Sequence, residues 1–278
     1  MDCLRKSLSA DKEVEFLAID ATELVREAVQ RTQAWPPAAI HLGQALMGSI
    51  LLMSITTKES SSKLSLNWKV DGPFGDLYVE CDELGNTRGT VSTPRADIQD
   101  LHTKLGEGLL QVRRTIKNTA TGIVYAKGDV CQDLLAYLQQ SEQRNCALNL
   151  WVNLQWSDYD KENPIHVQSA YGYLLDLLPS SSSERQQAKA FFWETRLQEL
   201  GGLSKWKFEG DPTLSILKTI SDESNPNEIY YQAISFHCNC SEERAKRALS
   251  LVNKHDGIQE SVVQEEVRCE FCGKVYRV

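Results

Sequence analysis

The chain lacks what would direct it to a membrane, out of the cell or onto nucleic acid. Its opening residues, MDCLRKSLSADKEVEF, hold no apolar stretch ending in a small-residue cleavage site, so they do not read as a secretory signal, and Asp2, Asp11 and Glu13 argue against a transit peptide. No apolar run reaches the roughly 20 residues that a bilayer span needs. The most apolar one, Ala38 to Met53, is interrupted by His41, Gln44 and Ser49, and predicts a helix buried inside the protein. Positive charge is in deficit, with a formal net charge of −8, which disfavours binding to phosphate backbones or anionic lipid. No G-x-x-x-x-G-K phosphate loop and no Ser/His/Asp or Cys/His set in recognisable local context is present, so neither ATP use nor nucleophilic catalysis is expected. These absences predict a soluble, cytoplasmic protein that is not an enzyme and has neither nucleic acid nor membrane as partner.

What is present is globular. Hydrophobic residues make up 41% and charged residues 24% of 278 positions, enough to bury a real core. Residues 12–19 predict a strand and Thr22 to Thr32 a helix. In KLSLNWKVD, Leu64, Leu66, Trp68 and Val70 alternate with Ser65, Asn67 and Lys69, the period of a strand with one buried face. Gly72–Gly75 and Gly85-Asn86 turn this strand into DLYVECDE and then TRGTVS, a β-meander. Residues 109–127 predict a hairpin, 129–143 a helix striped with Val130, Leu134, Leu135, Tyr137 and Leu138, and 146–156 with 165–177 two more strands. Strands in groups with helices between them predict an α+β fold. The expected organisation is an α+β domain over 1–178, a helical mid-chain segment over 179–232 and a small C-terminal module over 233–278. PSSSSE (179–184) marks the first boundary, with Ser182 or Ser183 as helix cap, Gly201-Gly202 as the stop, and a second helix over Pro212–Ile220.

Cysteine is the uneven component. There are eight, in a chain without a secretory signal, which favours free thiols and metal ligands over structural disulfides. Cys3, Cys81, Cys131 and Cys146 are scattered; the last three fall in apolar patterns and predict packing residues, whereas Cys3 is expected at the surface. The other four form C-x-C (Cys238, Cys240) and, 28 residues later, C-x-x-C (Cys269, Cys272). In a C-x-x-C turn both thiols face one small volume, and Gly273 eases the backbone. In extended chain, residues i and i+2 share a side, so Cys238 and Cys240 can reach the same ion. Ser241 caps the helix that follows, and its positive end favours thiolate nearby. Four thiolates at about 2.3 Å complete a tetrahedral Zn²⁺ shell with no position left for substrate, so one zinc per chain is expected, with His237 and His255 as weaker competitors for ligation. The bland alternative is a purely structural zinc knuckle.

The residues around the cysteines decide between these. FHCNCSEERAKRALSLV (236–252) and EEVRCEFCGKVYRV (265–278), in that order and spacing, together with VDGPFGDLYVECDELGNTRGTVSTP (70–94) and LQQSEQ (138–143), resemble the 33-kDa heat-shock protein family over nearly the whole chain. QSAYGYLLDLLP departs from a more glycine-rich version of that strand, and Gly273 stands where the family often has Asn. The resemblance implies a redox-regulated, ATP-independent holdase chaperone. Reduced, it holds zinc on Cys238, Cys240, Cys269 and Cys272 and is inactive. Oxidised, it forms the disulfides Cys238–Cys240 and Cys269–Cys272, releases the metal and loses structure in the C-terminal module and mid-chain segment. It then binds unfolding client proteins, as a homodimer.

Elementary energetics agree with that implication. A module the size of residues 233–278 would contribute only about 2–7 kcal/mol by itself, against about 10–16 kcal/mol from structural zinc, so metal loss should unfold it. A disulfide across one intervening residue closes a small, strained ring that is readily reduced again. Phe191, Phe192, Trp193, Leu197, Leu200, Leu203, Trp206 and Phe208 crowd the mid-chain segment; of these, Phe191, Phe192, Trp193, Leu197, Leu200, Trp206 and Phe208 are the candidate client contacts, covered by the first domain when reduced and exposed when released. Three rivals stand beside the chaperone. Seven basic and seven acidic residues in 233–278 cancel the footprint a nucleic-acid-binding finger needs. A dithiol oxidoreductase using Cys269 and Cys272, and an enzyme sited in the first domain, remain open.

Overall fold

The computed structural model describes residues 1–56, 62–157, 164–179, 182–223, 226–256 and 266–277, with 251–256 described by backbone alone. Ser180, Ser181 and Asn225 of the predicted boundaries, and the side chain of His255, lie outside the described residues.

Two sheets face each other across a layer of helices. The first contains β1 (Cys3–Leu8), β2 (Val14–Asp20), β8 (Asn145–Trp156), β9 (Ile165–Leu177) and β10 (Glu228–Ala233), in the order β10-β1-β2-β9-β8. The second contains β3 (Lys63–Val70), β4 (Leu77–Asp82), β5 (Asn86–Val91), β6 (Gly108–Thr115), β7 (Thr119–Ala126) and β11 (Ser235–Phe236), in the order β11-β5-β4-β3-β6-β7. Neighbours are antiparallel except β11, which runs parallel to β5. The meander and the hairpin fall where the alternation puts them: Leu64, Leu66 and Trp68 are buried.

Between the sheets lie α1 (Thr22–Thr32), α2 (Ala38–Thr56) and α3 (Val130–Ser141). Helix α2 touches strands of both sheets, which is why it is apolar around its whole circumference rather than along one stripe. Its mean hydropathy of 1.6 and its length would suit a membrane span, but 83% of that window is buried inside the fold. Gly89 on β5 lets it approach: a Cβ there would stand 2.9 Å from Leu42 of α2 and 2.6 Å from Val79. Because side chains alternate along a strand, a glycine turned inward at 89 turns Arg88 outward.

The outer face of the first sheet is covered by the mid-chain segment. Helix α4 (Ser183–Leu200), a 3-10 turn (Leu203–Lys205) and α5 (Pro212–Ser221) cross it. Val14, Phe16, Ala18, Tyr173, Leu175 and Leu177 meet Leu203, Ile216, Leu217 and Ile220 there, while Leu17, Ile19 and Leu174 point into the inter-sheet core. Strands buried on both faces read as continuous apolar runs, as FLAI and YLLDLL do. Ser182 caps α4 by accepting from the Arg185 amide at 3.2 Å, and Gly201 ends it with φ of 67°.

Two expectations need correction. Cys3 is 3% exposed, because β1 lies inside the sheet between β2 and β10 and turns Cys3 under α5, where its sulfur is 3.7 Å from Thr213 Oγ1. Phe191 and Phe192 are not covered: they are 73% and 56% exposed. Helical spacing puts Ala190, Trp193 and Leu197 on the face that meets the sheet, and the two phenylalanines project away from it. Trp193 packs edge-on to Phe16 at 5.1 Å, Trp206 stacks on Tyr173 at 5.8 Å and Phe208 meets Tyr171 at 5.0 Å, while Leu200 is half-buried. No residue of α4 is fully buried, and charge supplies part of its anchorage: Lys189 pairs with Asp11 and Glu13, and Arg185 with Glu13 at 3.1 Å.

The Lys189 hydrogen bond, with help from Ser9, lowers the Asp11 pKa from 3.8 to about 2. A carboxylate depressed in the folded state stabilises it above its unfolded pKa and loses that contribution as pH falls through the folded value. Anchorage of α4 should therefore be intact above about pH 4 and weaken between about pH 4 and pH 2. The difference in fluorescence between the parent and Trp193→Phe reports it, and the acid step should be absent in Lys189→Met.

Candidate metal centre

The approach to the cysteines is built into the body of the protein. β10 extends the edge of the first sheet beside β1, and β11 extends the edge of the second beside β5. Ile234 sits between them, buried in the inter-sheet core, with its amide donating to Asp2 O at 3.2 Å. The Ser235 amide donates to Gly85 O at 3.2 Å and the His237 amide to Thr87 O at 3.0 Å, which delivers Cys238 beside β5. The His237 side chain is exposed and is not among the clustered ligand atoms.

The second pair sits on a hairpin of β12 (Glu266–Arg268) and β13 (Val275–Arg277). The Gly273 amide donates to Cys269 O at 2.8 Å and the Cys269 amide to Lys274 O at 2.9 Å; Gly273 has φ of 71°, where a side chain would be strained. Amides of Phe271 and Cys272 point at the Cys269 sulfur and that of Lys274 at the Cys272 sulfur. Ser241 caps α6 (Glu242–Asp256), accepting from the Arg244 amide at 3.3 Å.

The four sulfurs of Cys238, Cys240, Cys269 and Cys272 all lie within 4.8 Å of one another. Cys238 is 3.7 Å from Cys269, and Cys240 is 3.4 Å from Cys272. Tetrahedral zinc at about 2.3 Å from each sulfur would separate them by about 3.8 Å. Geometry and donor set both fit a closed sulfur shell around a metal ion, and the cluster could hold one.

Electrostatics set these thiols apart from the others. Burial raises Cys81 and Cys131 to about 12 and Cys146 further, and Cys3 also upward, so all four stay protonated at neutral pH. At Cys240 burial also pushes upward, but the Tyr276 hydroxyl, donating at 3.1 Å, and the neighbouring thiols outweigh it and hold the pKa down to about 7. Burial raises Cys269, and Cys272 to about 12. Cys240 is thus favoured as the thiolate over Cys269 and Cys272, and a cation among the sulfurs would favour ionisation of the others.

Three contributors were not read from the sequence. Tyr276 bonds Cys240. Arg88 on β5 donates from Nη1 to the Cys238 sulfur at 3.3 Å, and its guanidinium lies 4.2 Å from the ring centroid of Phe271. Tyr276 could have been suspected from its inward register in VYR; Arg88, 150 residues from its sulfur, has no local signal.

A two-sheet α+β body closed by a four-thiol knuckle is the class of protein that this architecture defines. The family model described as Hsp33 protein matches residues 2–278, and the chain belongs to that family. It is 30% identical over 289 residues to the 33 kDa chaperonin of Symbiobacterium thermophilum, covering 99% of this chain and 94% of that one. It is also 30% identical to the 33 kDa chaperonin of Halalkalibacterium halodurans, over 99% and 94%. The crystal structure of the 33 kDa chaperonin from Thermotoga maritima superposes with a TM-score of 0.80 over 99% of this chain and 93% of that one, at 23% identity, a likeness of fold.

Chelating bound metal from the reduced protein should loosen residues 266–277, so Cys240, Cys269 and Cys272 should be alkylated by iodoacetamide faster after chelation than before it. Peptide mass mapping of the labelled cysteines checks this.

Proposed function

We propose that this chain is an ATP-independent holdase chaperone held inactive by zinc on Cys238, Cys240, Cys269 and Cys272 and switched on by oxidation of those thiols. One observation carries the reading: four sulfurs meet in one cluster at the end of a strand pair, β10 and β11, that is hydrogen-bonded into both sheets. The relatives named chaperonin support the client-binding half of it.

Bound there, zinc keeps the sulfurs deprotonated and ties the two cysteine pairs together. The protein supplies the rest. The hairpin amides and Tyr276 hold sulfur lone pairs in place, and burial keeps the four remaining thiols protonated and unreactive toward peroxide. An attacked thiolate takes oxygen from peroxide to become a sulfenic acid, releasing hydroxide that is protonated to water. A neighbouring thiolate then displaces the second oxygen, also lost as water after protonation, and forms the disulfide. Each disulfide removes two electrons from the cysteines and reduces one peroxide.

Pairing Cys238 with Cys240 and Cys269 with Cys272 suits a switch. Each bond closes a very short loop and leaves the two halves free to separate, whereas a bond across the pairs would close a long loop and hold the tail shut. Sulfur contacts of 3.7 Å and 3.4 Å run across the pairs, so disulfide mapping of the oxidised protein decides this point. Residues 233–278 and the mid-chain segment 179–232 are the parts that open, β10 being the piece of that segment paired along β1. Opening uncovers Trp193, Leu197, Leu200, Trp206 and Phe208, adding to Phe191 and Phe192, which are already exposed. It also widens a groove of about 900 Å³ between α4 and the sheet, lined by Ala147, Leu148, Tyr173, Leu175, Trp193 and Leu197. A homodimer in the oxidised state and a reducing cytoplasm as the resting compartment belong to the same reading, as does the absence of catalytic turnover.

Peroxide treatment should release about one zinc per chain, measured with a chromogenic chelator, and suppress aggregation of a chemically unfolded test protein without ATP. Cys269→Ser should bind zinc poorly and lose the clean inactive state. Aggregation curves unchanged after complete oxidation would overturn the proposal. Trp206→Ala removes a half-buried ring from the sheet, costing about 2 kcal/mol of docking, and should give partial holdase activity in the reduced, zinc-loaded protein.

A further inference from the structure

The guanidinium of Arg88 stands where the first domain meets the thiol cluster, and its surroundings divide into two sets. From its own sheet, Glu80 on the adjacent β4 accepts from Nε at 2.8 Å and pairs with Nη2 at 2.7 Å. Tyr78, two residues along β4, donates to the other Glu80 oxygen at 2.9 Å and fixes the carboxylate. From the tail, the Cys238 sulfur accepts from Nη1 at 3.3 Å, and Phe271, between Cys269 and Cys272 in sequence, lies 4.2 Å from the guanidinium carbon by its ring centroid. The same ring meets Tyr78 edge-on at 5.9 Å. One side chain, only 12% exposed, thus touches both halves of the thiol site while anchored to a strand of the body.

Charge makes this contact conditional. Arg88 and Glu80 alone are neutral as a pair. Four thiolates around a dication leave two negative charges, and a thiolate accepts a charge-assisted hydrogen bond from guanidinium roughly twice as strong as a neutral one. A disulfide sulfur is uncharged and a poor acceptor. Oxidation of Cys238 therefore leaves the guanidinium its carboxylate and takes away its partner in the tail, and ring stacking alone remains.

We propose that Arg88 is the positioning residue through which the first domain holds the reduced C-terminal module and lets it go when Cys238 is oxidised. This rests on the redox reading above. It adds that the module is released because docking depends on sulfur charge, and not only because the module itself melts.

The test uses full-length, reduced, zinc-loaded protein and the variants Arg88→Gln, Arg88→Lys and Phe271→Ala. Hydrogen exchange of residues 266–277 and 235–237 is followed by mass spectrometry, zinc content by metal analysis, and zinc affinity by competition with a chelator. Arg88→Gln should retain about one zinc per chain, because all four ligands remain. Its exchange in 266–277 should rise about tenfold, and zinc affinity should fall by a similar factor, because a charged hydrogen bond and the docking linked to it are lost. Arg88→Lys, which keeps charge but not the fork geometry, should fall between it and the parent. Phe271→Ala changes nothing inside the first domain and should move exchange in the same direction, which guards against misfolding of the β5 variant. Parent-like exchange in both Arg88→Gln and Phe271→Ala, in a parent whose tail opens on peroxide treatment, would overturn the role of Arg88 alone. A parent whose tail exchange does not respond to peroxide would overturn the switch itself.

Discussion

Four sulfurs confined within 4.8 Å of one another are the constraint on which the tail depends. Such a cluster is unstable to its own ionisation, because each proton lost raises the cost of losing the next. Among the described residues, one hydroxyl, a few hairpin amides and the Arg88 guanidinium donate to the sulfurs, and the remaining imbalance is left to a cation. The cluster is therefore a place where three quantities are linked: metal occupancy, thiol protonation and the fold of a segment too small to sustain itself. The two-sheet body, with a continuous core around α2, has no such dependence.

The surroundings sharpen the contrast between the two kinds of cysteine. Cys81 and Cys131 are held near 12, chiefly by burial, and serve as small apolar side chains. Cys240, with Tyr276 and its neighbours, is held near 7. An oxidant that attacks thiolate meets one reactive region in a chain of eight cysteines, and selectivity follows from local dielectric and hydrogen bonding without a dedicated binding pocket.

Much of this was legible in the residues. Alternation in KLSLNWKVD, the paired prolines before α2 and the punctuation at Gly72–Gly75 located the meander and the buried helix, because those signals are local. The thiol spacing located the candidate centre for the same reason. What was not legible is what depends on contacts across the chain. CLRKSL carries Arg5 and Lys6 mid-strand and does not read as a strand; it becomes one because Arg5 pairs with Asp211 at 3.0 Å and with Glu228, both more than 200 residues away. Cys3 was expected at the surface because nothing nearby shows that α5 lies over it. Phe191 and Phe192 were expected to be covered because composition counts aromatics but does not say which face of a helix meets a sheet. Arg88 carries no local mark at all, since its partner sulfur arrives from the far end of the sequence.

The crossing at Ile234 has a further consequence for the body it closes. β10 pairs along one border of β1, and β11 pairs with Asn86 and Thr87 of β5, so one short stretch extends two sheets at once. Were the tail to carry that stretch away, two rows of unpaired backbone amides and carbonyls would be bared together. Such borders accept any extended polypeptide irrespective of its side chains. The piece of chain that anchors the thiol cluster to the body would thus, by leaving, open two further berths for foreign strands.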